Sequence, residues 1–422
     1  MLAADRTETD MRDMNPSIGE HQRVDVVIVG AGPAGAVCAD HLAQAGVDVL
    51  LLDRADFPRD KPCAGWITPE VFRLLSLTPE QLRVEAGARG QPVEAGPPVV
   101  QPFRAFRVGM IGGRADRAVL VDYAQPISHG IRRAEFDHFL LGRARRAGAR
   151  METGATVRQI ERDAEGWLID GHWHGRLLIG AGGHFCPVAR WMQANADTSH
   201  PSESALPTAR SSPTKPKSCP FVCQEVELPL PADAASTCPV DPETPELYFC
   251  RDLLGYAWCI RKGNWLNIGL GREDRSALPR RVEQFVHWLR EQKRLPSGIE
   301  LPERWPGHAY FAYDSAPRPL AGERLLLVGD AAGLAEGKTG EGIAPAIRSG
   351  LFAARTIVAA KGEYGPALAT AYERAIVEQF GARGRRSSGK ASRWRAALGR
   401  LLLRNPTFVR RVVCDRWFLG RG

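Results

Sequence analysis

Gly30, Gly32 and Gly35 stand directly after an apolar, β-branched run from Val24 to Val29. No other feature constrains the fold of this chain as tightly. The stretch after them, Ala36 to Val47, has helical spacing, and a second apolar run, Val49 to Leu52, ends in Asp53-Arg54. This order reads as strand, turn, helix, strand. Each glycine serves a separate purpose. The first permits a tight turn, the second lets the backbone approach a pyrophosphate, and the third lets helix and strand pack closely. An anion at the helix N-terminus meets free N–H groups and the positive end of the helix dipole. Asp53 ends the second strand, where an acid bonds ribose hydroxyls. The motif predicts a dinucleotide site and leaves nicotinamide and flavin both open.

A second segment favours the flavin. Leu325 to Val328 is another buried-strand run, followed by Gly329-Asp330 and a glycine turn at Gly333. An acid at such a strand end can bond a ribityl chain, which nicotinamide dinucleotides lack. Thr339-Gly340-Glu341-Gly342-Ile343 then opens a helix. Its backbone N–H groups suit a flavin pyrimidine and the negative charge of the reduced ring. Gly337-Lys338-Thr339 resembles a P-loop, but Ala332 stands where that motif needs glycine and no strand precedes it directly.

The chain has 422 residues, of which 44% are hydrophobic, enough for a large core in two units or in one with insertions. The expected fold is α/β: a Rossmann-like FAD-binding domain on a parallel sheet, an inserted, mostly antiparallel β-sheet substrate domain, and a C-terminal helical segment. The divisions expected are 22–75, 130–195 and 305–362 for FAD binding, 76–129 and 196–304 for substrate, and 363–422 for the basic tail. Phe136, Phe139, Leu140 and Ala144 predict the buried face of a helix from Arg132. Tyr248 to Leu270 predicts two strands, the first running through Arg261, joined at Lys262-Gly263-Asn264. Tyr256, Trp258 and Ile260 would share a face.

The net charge of +8 is carried by the tail, since Phe380 to Gly422 holds twelve Arg/Lys and one acid, leaving −3 for the rest. No basic face with base-reading groups is evident in the body, so nucleic acid is not an expected partner. Trp394, Leu398, Leu401, Leu402, Phe408, Val409, Val412 and Trp417 are interleaved with arginines and interrupted at Asn405-Pro406. Such a segment lies on an anionic bilayer or packs on the body with a basic outer face. The nine cysteines include no metal-type pair, so no metal is expected. An odd cysteine count and a polar first 23 residues predict reduced thiols and a cytoplasmic protein, peripheral on the inner membrane face if the tail meets lipid.

Four segments resemble the geranylgeranyl reductase family of FAD enzymes: Val26 to Ala39, Phe57 to Gly65, Gly255 to Gly271, and Leu326 to Gly350. Arg133-Ala-Glu-Phe-Asp137 is similar to a further family segment. The resemblance implies that Cys63, Ala64, Gly65 and Arg133 lie near the flavin. Ala34, Arg54 and Val157 are grouped with the cofactor residues. Gly182 stands where related monooxygenases carry an acid that helps bind nicotinamide. Ala64, Arg261 and Gly337 also depart from the family pattern, on the substrate side.

The resemblance implies reduction of carbon–carbon double bonds in an isoprenoid or other apolar substrate. An unactivated alkene offers a hydride no electron sink, so it needs a proton donor and a dry pocket. Cys63 is the expected donor, or else packs beside the ring. Tyr256 and Trp258 either line the pocket or are ordinary core aromatics. His184 reads as a turn histidine. NAD(P)H, a ferredoxin or a flavin reductase remain open as electron donors. A flavin-dependent monooxygenase or halogenase is the main rival, and a non-catalytic flavin- or lipid-binding protein the third reading.

Overall fold

The computed structural model describes residues 22–88, 98–195, 220–274, 277–383 and 393–421, without the side chains of 85–88 and 393–396. Trp394 therefore lies outside the described side chains. A parallel sheet forms the first layer. Gln22–Val29 is central, flanked by Val49–Leu52 and Trp173–Gly180, with Arg150–Glu152 and Leu325–Leu327 beyond them. Val29 pairs with both Leu52 and Gly180, and Leu178 pairs with Leu325. Val26, Val27 and Ile28 are fully buried, the mark of a strand covered on both faces. Ala321–Gly322 and the Ile160–Arg162/Trp167–Ile169 hairpin extend the sheet antiparallel.

Helix Pro33–Gln44 packs between Ile343–Ala359 and Arg133–Arg146. A Cβ at Gly350 would fall 2.4 Å from the Ala34 carbonyl oxygen, so this glycine permits the close helix crossing. The expected helical face is buried throughout: Phe136, Phe139, Leu140 and Ala144.

The second layer is a seven-stranded sheet. Its order is Gly307–Tyr310, Phe221–Pro229, Trp265–Arg272, Gly255–Lys262, Glu246–Phe249, Ala105–Met110, Val119–Asp122. All neighbours are antiparallel except Glu246–Phe249 with Ala105–Met110. Helix Leu278–Glu291 covers one face through Phe285, Trp288 and Leu289. The opposite face carries Tyr256, Trp258 and Ile260 against Phe103, Phe106 and Val108. A small sheet of Trp66–Ile67, Ser128–Ile131 and Val100–Phe103 lies between the layers.

Two expectations need correction. The run from Leu247 to Arg261 is not one strand but two, broken by a turn at 250–254. Asp252 accepts from Leu254 N at 3.2 Å and pairs with buried Arg272 at 2.9 Å, while Leu253 takes the left-handed conformation at φ 58°. Lys262 is the last residue of its strand, and the turn is Gly263-Asn264.

The tail forms helices Arg393–Leu402 and Pro406–Phe408, continuing in wide π-helical turns over Val409–Phe418. Val409, Val413, Cys414 and Phe418 are buried on the body, so a bilayer contact through that face is excluded. Leu398 and Leu401 stay exposed, at 47% and 63%. No helix among the described residues is long and apolar enough to cross a membrane, and the eight described cysteines are unpaired.

Candidate active site

A cavity of about 800 Å³ lies between the two sheets, at the carboxyl ends of the parallel strands. Its dinucleotide end is built by the glycine turn. Gly30 sits at φ 117°, and a Cβ there would come 2.4 Å from the Ala181 carbonyl. A Cβ at Gly35 would fall 1.9 Å from Gly30 O. Both glycines therefore serve chain packing. Gly32 differs: the nearest atom to its Cβ position is the end of the Arg59 side chain, 3.7 Å away, so the space there is left for a ligand. That open cradle at the head of a helix fits an FAD pyrophosphate. Asp53 accepts from Ala31 N at 2.7 Å and Ala55 N at 2.9 Å, bracing the turn while facing the cavity with Arg54.

Gly329-Asp330 reaches the same cavity from the strand 325–327. Gly329 has φ 58°, and its N–H donates to Ser349 Oγ at 2.9 Å. His308 Nε2 is 3.1 Å from Asp330 Oδ2, and Lys61 Nζ is 3.5 Å from His308 Nε2. Burial opposes ionisation of Asp330, but the His308 hydrogen bond and the Lys61 charge outweigh it and hold the carboxyl down to about 2. Burial, and then the neighbouring Lys61 charge, lowers the His308 pKa against the pull of Asp330.

Gly340, Glu341, Gly342 and Ile343 also line the cavity. Their loop is tied down by Tyr256 Oη, which donates to Thr339 O at 2.5 Å, and by Glu336, which accepts from Lys338 N and Thr339 N at 2.7 Å each. Burial, with Glu336 nearby, pushes Glu341 up to about 7.

Cys63 and Ala64 line the cavity beside Arg133, and Gly65 lies behind them at φ 63°. This loop is fixed from the second sheet. Lys262, fully buried, donates to Ala64 O at 3.1 Å and Ile131 O at 3.0 Å, and pairs with Glu227. Asn267 donates to Cys63 O at 3.2 Å and accepts from Trp258 Nε1 at 2.7 Å. Burial pushes neighbouring Glu225 up to about 7, against the pull of Lys262. Arg133 is locked on Asp137 by bonds of 2.7 and 2.6 Å, and its guanidinium also faces the Cys63 thiol.

Of the residues expected at the site, Gly32, Ala34, Asp53, Arg54, Cys63, Ala64, Arg133, Tyr256, Trp258, Gly329, Asp330 and Gly340 to Ile343 face one cavity. Gly30, Gly35 and Gly65 stand just behind its wall. Val157 is buried in the core of the parallel sheet and is not on that wall, because its side chain joins the apolar layer under the strands. His184 lines the cavity within a turn. Sequence reasoning missed Arg59, Lys61, His308, Trp417 and Phe418, all on the wall. Arg59 and Lys61 stood within a recognised segment, and Trp417 was visible only as part of the tail.

A sequence family described as an FAD binding domain matches residues 23–189. The chain is 29% identical over 350 residues to a menaquinone reductase of Mycobacterium tuberculosis, spanning 79% of this chain and 76% of that one. It is 27% identical over 376 residues to digeranylgeranylglycerophospholipid reductase 1 of Methanothermobacter thermautotrophicus, spanning 85% and 83%. A geranylgeranyl bacteriochlorophyll reductase-like protein of Thermoplasma acidophilum superposes with a TM-score of 0.65 at 18% identity, over 92% of this chain and 89% of that one. A mutant of the halogenase PltM, solved with FAD, superposes at 0.61 and 17% identity, over 83% and 73%. At such identities the structural likenesses concern the fold alone.

Proposed function

We propose that this chain, an FAD-dependent oxidoreductase resembling the geranylgeranyl reductases, reduces carbon–carbon double bonds of an isoprenoid or another apolar substrate. One observation carries the proposal: an aromatic wall of Trp66, Tyr256, Trp258 and Phe418 adjoins the Cys63 loop and the 340–343 turn within a single cavity. Reduced FAD, when bound, would supply the hydride. The chain's own residues do the rest. The aromatic wall excludes water and holds an apolar chain by burial alone. Lys262 and Asn267 fix the carbonyls of Ala64 and Cys63 and so set the position of the thiol. Cys63 Sγ delivers the proton to the second alkene carbon. Asp53, the Gly32 turn and Asp330, kept ionised, would hold the FAD, Asp330 as a hydrogen-bond acceptor.

The names of the relatives support the substrate class, since two of them are reductases of a quinone and of a prenylated phospholipid. NAD(P)H, ferredoxin and a flavin reductase stand as candidate donors. The exposed Leu398 and Leu401, with Arg404, Arg410 and Arg411 exposed nearby in sequence, form a surface suited to an anionic bilayer. Arg400 and Gly399 on this segment rest on the 250–254 turn, whose Leu253 lines the cavity.

The test is anaerobic. Protein reduced with dithionite is mixed with menaquinone or a digeranylgeranyl lipid, and flavin absorbance and product mass are followed. Reoxidation is expected with a gain of two hydrogens in the prenyl chain, located there by fragmentation after the quinone ring has been reoxidised in air. Reoxidation only by oxygen, with an oxygenated or halogenated product, would instead support the monooxygenase or halogenase reading.

A further inference from the structure

We propose that the segment Pro406–Leu419 is the end wall of the substrate cavity, and that Phe418 sets the length of apolar chain the protein accepts. The inference rests on the reading of the cavity as an isoprenoid site. Phe418 stacks on Trp66 with centroids 5.2 Å apart and planes 4° from parallel, and meets Tyr256 edge-on at 5.5 Å. Trp66 in turn lies 5.0 Å from Phe106. Trp417 and Phe418 both face the cavity. The aromatic wall of Trp66 and Tyr256 is thus completed by residues about 350 positions downstream of the Cys63 loop.

The segment is anchored, not merely laid on the surface. Tyr123 Oη donates to Asp415 Oδ1 at 2.6 Å. Arg410 sits 4.8 Å above the Tyr123 ring and donates to Asp122 O at 3.2 Å. Val409, Val413 and Cys414 are buried against Phe103, Phe106 and Val121. These anchors hold the backbone of 409–419 independently of the Phe418 ring, so the ring can be trimmed while the segment remains. Trimming it to alanine removes a phenyl group, close in bulk to one isoprene unit. A pocket discriminates one methylene by about tenfold or more, so a whole unit should move the preference decisively.

The experiment compares unmodified protein with Phe418→Ala and Phe418→Leu, all FAD-loaded. Geraniol, farnesol, geranylgeraniol and a longer polyprenol are offered to the dithionite-reduced forms, and reoxidation rates give kcat/KM for each length. In parallel, binding of n-alkyl alcohols of increasing length is read by tryptophan fluorescence, which needs neither turnover nor a double bond. We expect the optimum to move up by one unit in Phe418→Ala, with the ratio of longer to original substrate rising about tenfold, and by less in Phe418→Leu. The alkyl-alcohol limit should move the same way, with flavin content unchanged. Identical length profiles in flavin-loaded variants would overturn the proposal. If no polyprenol reoxidises the unmodified protein, the isoprenoid reading fails; the alkyl-alcohol series then still decides the wall, a limit that moves with residue 418 upholding it and a fixed one overturning it.

Discussion

Gly32 and Gly30 differ in what a side chain would strike. Around Gly32 the protein leaves space, so Gly32→Val should fold and lose only the ligand. We expect a variant with a melting temperature within a few degrees of the apoprotein and no visible flavin band. Gly30→Ala, the control, strains both backbone and packing and should cost about 2 kcal/mol or more of stability, read by chemical denaturation. Cys63→Ser should keep the flavin and lower kcat by about tenfold or more with little change in KM, as loss of a proton donor predicts. Equal rates would leave the thiol a packing role. Glu225 gives a pH dependence. Its carboxyl is pushed up to about 7 from 4.5 by burial, so between these values the folded protein holds more protons than the unfolded chain. Stability should fall as pH rises through that window, by about 3 kcal/mol at most. Glu225→Gln should flatten the slope between pH 5 and 8 in denaturant titrations, leaving the part due to Glu341. Lys262 was legible in principle. Period two carries the inward face from Tyr256 through Trp258 and Ile260 to Lys262, but a lysine beside Gly-Asn reads as a turn. His308 was not legible, because a single histidine in a short strand carries no pattern; only the fold brings it to Asp330.

Elements buried on both faces were read directly, since the runs Val24 to Val29 and Val49 to Leu52 leave few alternatives to a covered parallel strand. The strand break at 250–254 was hidden because the ion pair that braces it joins Asp252 to Arg272, 20 residues on, at the end of the strand that pairs with 255–262. The tail was ambiguous for a different reason. An apolar face flanked by arginines suits lipid or protein equally, and the partner decides. Here the partner is the body for 409–418, while Leu398 and Leu401 remain largely uncovered. Leu398→Glu with Leu401→Glu should therefore reduce sedimentation with anionic vesicles by about tenfold at low salt, with less effect at high salt, where screening already weakens the arginines. Flavin content should not change. Equal sedimentation would remove the bilayer from this surface.

Across the whole molecule, the two nucleotide-binding turns are far apart in sequence, yet their strands lie on either side of 173–180 in the parallel sheet and both turns line one cavity, a meeting their glycines and acids announced in advance. The second sheet gave no such notice. Its strands 105–110 and 246–249 pair in parallel, although the Arg133–Arg146 helix and several strands of the first sheet separate them along the chain. Each contribution leaves the other with an open edge. Chimeras made by exchanging segments with a relative should therefore respect this seam. Exchanging 98–122 together with 220–310 transfers a self-consistent sheet, whereas exchanging either block alone joins two edges that never evolved as neighbours, and such hybrids should be recovered mainly as aggregate.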